Sequence, residues 1–330
     1  MPKTHFDSIK LRNPGDLIAA VPHLLGCRPT EAVVICAHVG RGSTQLQACV
    51  RADLPPPNLY WDLAKQLLRP VLRANARAAT LIIVGGQGEQ PLPHRGQVEA
   101  ISAVFATVGV PVIHTLWTPT ITEGAPWRCY TNLECSGRLP DPSISELAVA
   151  NAAEGLFTYE SKDAMRAALE PTDRKPLAHR AERIAMALAQ RPDEVHARKL
   201  LDDVLADVRE GIFTLDDDRV VDLAVALSHT KVRDSCLRAE VISLGPAIEN
   251  VWFELTRATP SPYRAEPASL LAFTAFLRGD GVSAGVALHV AREADPHHMV
   301  AYLLRSAMDL GLAPSDLSRA LARGFAKAAS

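Results

Sequence analysis

The candidate strands of this sequence are confined to its first 140 or so residues, which limits the chain to a fold with a sheet in one part and helices in the other. Ala32-Val33-Val34-Ile35-Cys36-Ala37 and Ala79-Thr80-Leu81-Ile82-Ile83-Val84 are continuous apolar runs, the pattern of strands buried on both faces. Leu46-Gln47-Ala48-Cys49-Val50-Arg51 alternates instead, and Pro111 to Trp117 reads as a further strand. Gly40-Arg41-Gly42-Ser43 joins the run from Ala32 to the run from Leu46 as a hairpin loop, so the sheet is mixed. Trp127 to Leu133 adds an edge strand, and Gly137 to Pro142 is turn material.

Amphipathic helices separate these runs. Asn13 caps the first, Pro14 suits its first position, Asp16 faces the positive end of its dipole, and Gly26 ends it. It carries Leu17, Ile18, Val21, Leu24 and Leu25, with a kink expected at Pro22. After Pro55-Pro56-Pro57, a second helix bears Leu59, Leu63, Leu67, Leu68, Val71 and Leu72. A third bears Val98, Ile101, Val104, Phe105 and Val108.

From Ser143 the texture is helical, which divides the chain into an α/β mixed-sheet domain over 1–142 and an all-α domain of helical hairpins over 143–330. Ser143-Ile144-Ser145-Glu146 has the spacing of a capping box and opens that part. Amphipathic stretches are expected near 176–190, 194–210, 217–228, 243–257, 266–278, 281–294, 297–310 and 315–328, with breaks at Pro192, Gly211, Pro246, Pro260, Pro262 and Pro314. Gly279-Asp280-Gly281, then Ala284, Ala291 and Asp295-Pro296, have the spacing of one tetratricopeptide-like unit near the C-terminus.

Charge excludes several functions. Lys and Arg number 35 against 37 Asp and Glu, a net charge of −2, so no general field favours nucleic acid or an anionic membrane. Aromatic residues, at 5%, are too few for a base-stacking platform. No apolar run is long enough to span a membrane, and Met1 to Asp7 has no signal core. Six cysteines in a chain of 330 residues form no disulfide framework, and a reducing cytoplasm is expected.

Two groups of residues are candidates for chemistry. Gly85-Gly86-Gln87-Gly88 follows a buried strand, where backbone N–H groups can cradle an anion, with His94 and Arg95 near enough in sequence to help. It reads equally as a plain turn, because Pro91-Leu92-Pro93 delays the next helix and no Gly-Lys-Ser/Thr is present. Arg51 and Asp53 end a strand and Asp16 opens a helix, so they are either site residues or ordinary ion pairs and caps. Cys129 and Cys135 form the second group. Two thiols can bind a soft metal or exchange a disulfide, but a structural zinc needs four ligands and their spacing is not the usual one. His23 could act as a base or be satisfied in the core, and His297-His298 suit a helix start. No Gly-x-Ser-x-Gly or His-Glu-x-x-His occurs, and the sequence leaves any cofactor unknown.

The segment Asn13-Pro14-Gly15-Asp16-Leu17-Ile18-Ala19-Ala20-Val21-Pro22-His23-Leu24-Leu25-Gly26 with Arg28-Pro29 resembles the opening signature of an actinobacterial family known as domain of unknown function 4192. Arg51-Ala52-Asp53-Leu54-Pro55, Trp127-Arg128-Cys129-Tyr130, Gly279-Asp280-Gly281, Asp295-Pro296 and Gly311-Leu312-Ala313-Pro314 extend the resemblance over nearly the whole chain. The resemblance implies no activity. Where the family pattern resembles Cys, a spacer, then Cys-Cys-Pro and Gly, this chain has Cys129 and then Cys135-Ser136-Gly137.

Two functional classes follow. One is a non-enzymatic binding or regulatory protein whose helical domain docks a protein partner. The other is an enzyme for a small anionic or nucleotide-like substrate at the strand ends, which requires Asp16, Arg51, Asp53, His94 and Arg95 to converge. A DNA-binding regulator would need a basic helix face that this charge balance does not suggest.

Overall fold

A computed structural model describes residues 13–40, 45–87, 91–132, 134–153, 155–190 and 192–320. They divide into two compact units: one reaches to Lys162 and takes in Leu310–Ala313, and the other comprises Asp163–Asp309 and resumes at Pro314.

The first unit contains α1 (Pro14–Leu25), β1 (Ala32–Val39), β2 (Gln45–Asp53), α2 (Tyr60–Arg73), β3 (Ala78–Val84), α3 (Arg95–Ala106), β4 (Val112–Thr118), β5 (Pro126–Cys129), β6 (Ser136–Arg138) and α4 (Glu146–Ala153). The six strands form one mixed sheet in the order β2-β1-β3-β4-β5-β6. Only β3 and β4 pair in parallel among the described strands, because α3 supplies the crossover between them.

The two continuous apolar runs become β1 and β3, buried because both faces of the sheet are covered. On one face Val33, Ile35, Leu81 and Ile83 pack with Ala64, Leu67 and Val71 of α2 and with Val98, Ile101 and Phe105 of α3. Burial of each such aliphatic side chain contributes roughly 1.5–3 kcal/mol. α1 meets β2 and α4 and joins no part of that cluster, which puts it on the opposite face. Its N-cap forms as expected: Asn13 Oδ1 accepts from the Asp16 N–H at 3.0 Å, and Gly26 closes the helix with φ 71°. The helix continues through Pro22.

Several local expectations are corrected. Ser143 does not cap a helix with Glu146: Asp141 caps a short 3-10 turn over Pro142–Ile144, and Ser145 Oγ accepts from Ala148 N–H at the start of α4. The strand near Trp127 ends at Cys129 and is not an edge strand, because Ser136–Arg138, partly expected as turn, pairs outside it. Leu59, Leu72 and Val108 are exposed rather than on inner faces: Leu59 lies in a 3-10 turn before α2, Leu72 lies off the stripe of Ala64, Leu67 and Val71 that α2 buries, and Val108 follows the end of α3.

The second unit contains α5 (Lys162–Ala168), α6 (Lys175–Ala189), α7 (Glu194–Glu210), α8 (Asp217–Leu227), α9 (Thr230–Ser235), α10 (Ala239–Ile242), α11 (Pro246–Ala258), α12 (Ala265–Arg278), α13 (Gly281–Ala294) and α14 (Met299–Asp309). Asp193, Asp216 and Asp280 cap α7, α8 and α13 through their carboxylates. The stretch expected as one helix over 243–257 starts instead at Pro246, which fits only a first turn, after Gly245 with φ 57°. α12 and α13 form a tight hairpin through Gly279 and Asp280, and Ala284, Ala287 and Ala291 are buried in it. Among the described residues no helix is long and apolar enough to cross a membrane.

Candidate functional site

The register brings three chain segments to one end of the sheet. Ala32 of β1 lies opposite both Asp53 of β2 and Val84 of β3, so Glu31, Asp53 and Gly85 follow or precede neighbouring strands at the same end. The glycine loop is built tightly there. Trp117 Nε1 donates to the Gly85 carbonyl at 2.8 Å, and the Gly85 N–H donates to Thr118 O at 3.0 Å. Gly85 has φ 125°, and a Cβ on it would lie 2.5 Å from Glu31 Oε1, so only glycine fits.

Glu31 decides the electrostatics of this loop. Its Oε1 accepts from the Gly86 N–H at 3.1 Å, and its carbonyl accepts from the Leu54 N–H at 2.9 Å. The position that an incoming anion would take beside Gly86 is therefore held by a carboxylate of the protein itself. An anionic ligand would have to displace it against like-charge repulsion.

The expected site residues meet in part. Gly85, Gly86 and His94 come together: a Cβ at Gly86 would touch the Pro93 ring and lie 3.7 Å from His94 Nε2. His94 is in the left-handed region, φ 56°, and precedes Arg95, the exposed first residue of α3. Gly88 lies outside the described residues. Arg51 and Asp53 pair with each other at 2.6 Å; the Arg51 side chain is only 10% exposed and its Nε has no hydrogen-bond partner. Asp16 is bonded elsewhere, accepting from Asn13 Nδ2 at 2.9 Å in a helix turn whose Gly15 abuts Trp127 of β5. The strand of Trp127 is four places from that of Arg51, about 19 Å across the sheet.

Sequence reasoning missed the residues that shape this end of the sheet. Glu31 carries no motif, and its role exists only because β1 and β3 are adjacent. Tyr130 donates its hydroxyl to Pro93 O at 2.6 Å, and burial holds its pKa above the ordinary tyrosine value although Arg95 acts the other way. Gln97 is fully buried with Oε1 unpartnered, its Nε2 reaching Tyr60 O at 3.4 Å.

His23 is bonded on both sides of its ring, Nδ1 to Thr158 Oγ1 and Nε2 to Pro142 O, each at 2.8 Å. Burial pushes its pKa down, and the neutral imidazole ties α1 to the chain before and after α4. His298 Nδ1 accepts from the Ala301 N–H at 3.3 Å and caps α14.

The cysteines form two cross-strand pairs. Cys36 and Cys49 are directly opposed on β1 and β2 with sulfurs 4.0 Å apart. The β5–β6 register continues to Cys129 and Cys135, whose backbones join through Cys129 N–H to Cys135 O at 2.9 Å. Cys129 Sγ lies 3.2 Å from Thr131 Oγ1. Burial would raise the Cys129 thiol, but hydrogen bonds from the Thr131 hydroxyl and from backbone groups of Thr131, Asn132 and Thr115 bring it below the usual value. Cys135 is raised, by burial and then by the Cys129 charge and thiol. Among the described residues no group of three or more His, Cys, Asp or Glu is arranged to hold a metal ion.

The sequence pattern of the family described as Domain of unknown function (DUF4192) matches residues 14–315. The chain belongs to that family. The match spans α1 through the residues following α14, so it takes in both the sheet and the helical unit. No curated protein and no solved structure matches the chain.

Proposed function

We propose that the protein is a non-enzymatic binding or regulatory protein and that its helical unit docks a partner polypeptide through the outward face of α14. The observation that carries this reading is an inverted helix. α14 turns its small residues Ala301 and Ala307, with Leu304, inward, while Met299, Tyr302 and Leu303 stand 63%, 63% and 57% exposed. These three occupy positions i, i+3 and i+4, the spacing with which one helix anchors another. A helix needed only for its own unit would place polar residues there. The partner that fits is an amphipathic helix, and covering three such side chains would contribute roughly 1.5–3 kcal/mol each before the cost of association. The α12–α13 hairpin, read as a tetratricopeptide-like unit, gives α14 a rigid support.

The test is a photo-crosslinking residue at Tyr302, with Arg292 on α13 as an exposed control position, in cells that make the protein. A discrete polypeptide adduct at Tyr302, absent at Arg292 and lost when Met299 and Leu303 are changed to Ser, is expected. Equal adducts at both positions, or an adduct that survives the changes, would sink the reading. The enzymatic alternative has less support, because Glu31 holds the Gly86 N–H and Asp16 is bonded at a different part of the sheet. Thermal stabilisation by a nucleoside phosphate that Arg95→Ala abolishes would reverse that judgement.

A further inference from the structure

We propose that Cys129 and Cys135 are a reversible dithiol–disulfide couple oxidised by hydroperoxides, with Cys129 the attacking sulfur and Cys135 the resolving one. Their opposition across the β5–β6 hairpin sets the separation. Facing residues on antiparallel strands have Cα atoms about 4.5–5.5 Å apart, inside the range a disulfide spans, and the Cys129 N–H to Cys135 O bond extends the β5–β6 pairing by one step to these two residues. That bond, at 2.9 Å, holds the two residues side by side.

The environment separates the roles. The Cys129 sulfur receives the Thr131 hydroxyl and nearby backbone donors, which hold negative charge on it. Cys135, beside that charge, keeps its proton and stays half-exposed. Cys129 is 5% exposed, and Cys135 opposite it is only partly covered.

The reaction balances with the peroxide as oxidant. The Cys129 thiolate attacks the peroxide oxygen, an S–O bond forms as O–O breaks, and the hydroxide released takes a proton to become water. The Cys135 sulfur then attacks the Cys129 sulfur; S–S forms, S–O breaks, and the hydroxyl leaves as water with the Cys135 proton. Two electrons have passed from the thiols to the peroxide. A dithiol reductant reverses the result by exchange.

The Cys36–Cys49 pair is the internal control. Its sulfurs are 4.0 Å apart, but Cys36 is fully buried, and the partly covered Cys49 thiol is pushed well above the usual value, first by its bond to Cys36 and then by burial. Proximity is shared by the two pairs, and thiolate character is not.

The experiment is stepwise addition of hydrogen peroxide to the full-length reduced protein, followed by alkylation and peptide mass mapping. A Cys129–Cys135 linkage two hydrogens lighter than the dithiol, formed before any change at Cys36 or Cys49 and reversed by dithiothreitol, is expected. In Cys135→Ser the Cys129 sulfenic acid should be trapped by a cyclic 1,3-diketone, and in Cys129→Ser position 135 should stay unlabelled at the same dose. Thr131→Val should slow the linkage measurably, because the Cys129 sulfur loses the hydroxyl that bonds it. Failure of the linkage in the unaltered protein, or earlier oxidation of Cys36 and Cys49, would overturn the proposal. So would equal labelling of Cys129 and Cys135 in the two variants.

Discussion

At the carboxyl end of β3 the N–H groups of Gly85 and Gly86, which could hold a ligand, are bonded to the protein itself, whereas on α14 the side chains that could hold a partner are bare. Gly85 and Gly86 look open in sequence, yet their N–H groups go to Thr118 and Glu31, and the Gly85 carbonyl takes the Trp117 indole. Met299, Tyr302 and Leu303 look like ordinary core positions of a helix and are more than half exposed. A glycine-rich loop is therefore a weak indicator of a binding site until its donors are counted. An apolar residue is informative when it is large, exposed and in register with others.

This comparison predicts that changes at the strand end cost stability and changes on α14 do not. The largest expected effect is at Gly85: with φ 125° and a Cβ that would meet the Glu31 carboxylate, Gly85→Ala should lose about 3 kcal/mol in urea unfolding. A loss below about 1 kcal/mol would mean the loop relaxes freely and could open for a ligand. Trp117→Phe keeps most of the ring and strands the buried Gly85 carbonyl, so a loss of about 2 kcal/mol is expected in the same assay.

Changing Met299, Tyr302 and Leu303 together to Ser should alter stability by no more than about 0.5 kcal/mol, because exposed side chains lose little on truncation. A larger loss would mean that these residues pack within the unit. The mildest test is pH. His23 and His38, both in the first unit, have pKa values lowered chiefly by burial from the unfolded value of 6.5. Below that value the unfolded chain binds protons that the folded imidazoles refuse, so stability is full above pH 6.5 and falls as pH drops toward their folded values. Fluorescence of Trp61, Trp117 and Trp127 in a Trp252→Phe background should follow this in the first unit, and His23→Gln should flatten it. A stability profile unchanged below pH 6.5 would show that protonated imidazoles are accommodated in the fold.

Much of the fold was legible before any coordinates because the relevant forces are local. Asn13 and Gly26 bound α1 through hydrogen bonds and a left-handed turn only a few residues long, and the apolar runs at Val33 and Leu81 mark strands covered on both faces. The candidate site was less legible. Arg51 lies against Asp53 and Gly86 near His94, but Asp16 does not join them. The Ser143–Glu146 spacing misled because Asp141 and Ser145 are equally good caps and took over the two adjacent turns.

By itself the sequence determined the kinds of element, their approximate limits and the division between sheet and helices, since propensity, capping and periodicity act over one or two turns. Only the tertiary structure decided that β1 lies between β2 and β3, that Glu31 reaches Gly86 across 55 positions of chain, and that Cys129 faces Cys135. Those relations depend on strand order and register. Both are selected by the burial of whole faces rather than by any short run of residues, and a shift of one position would turn each of those side chains to the other side.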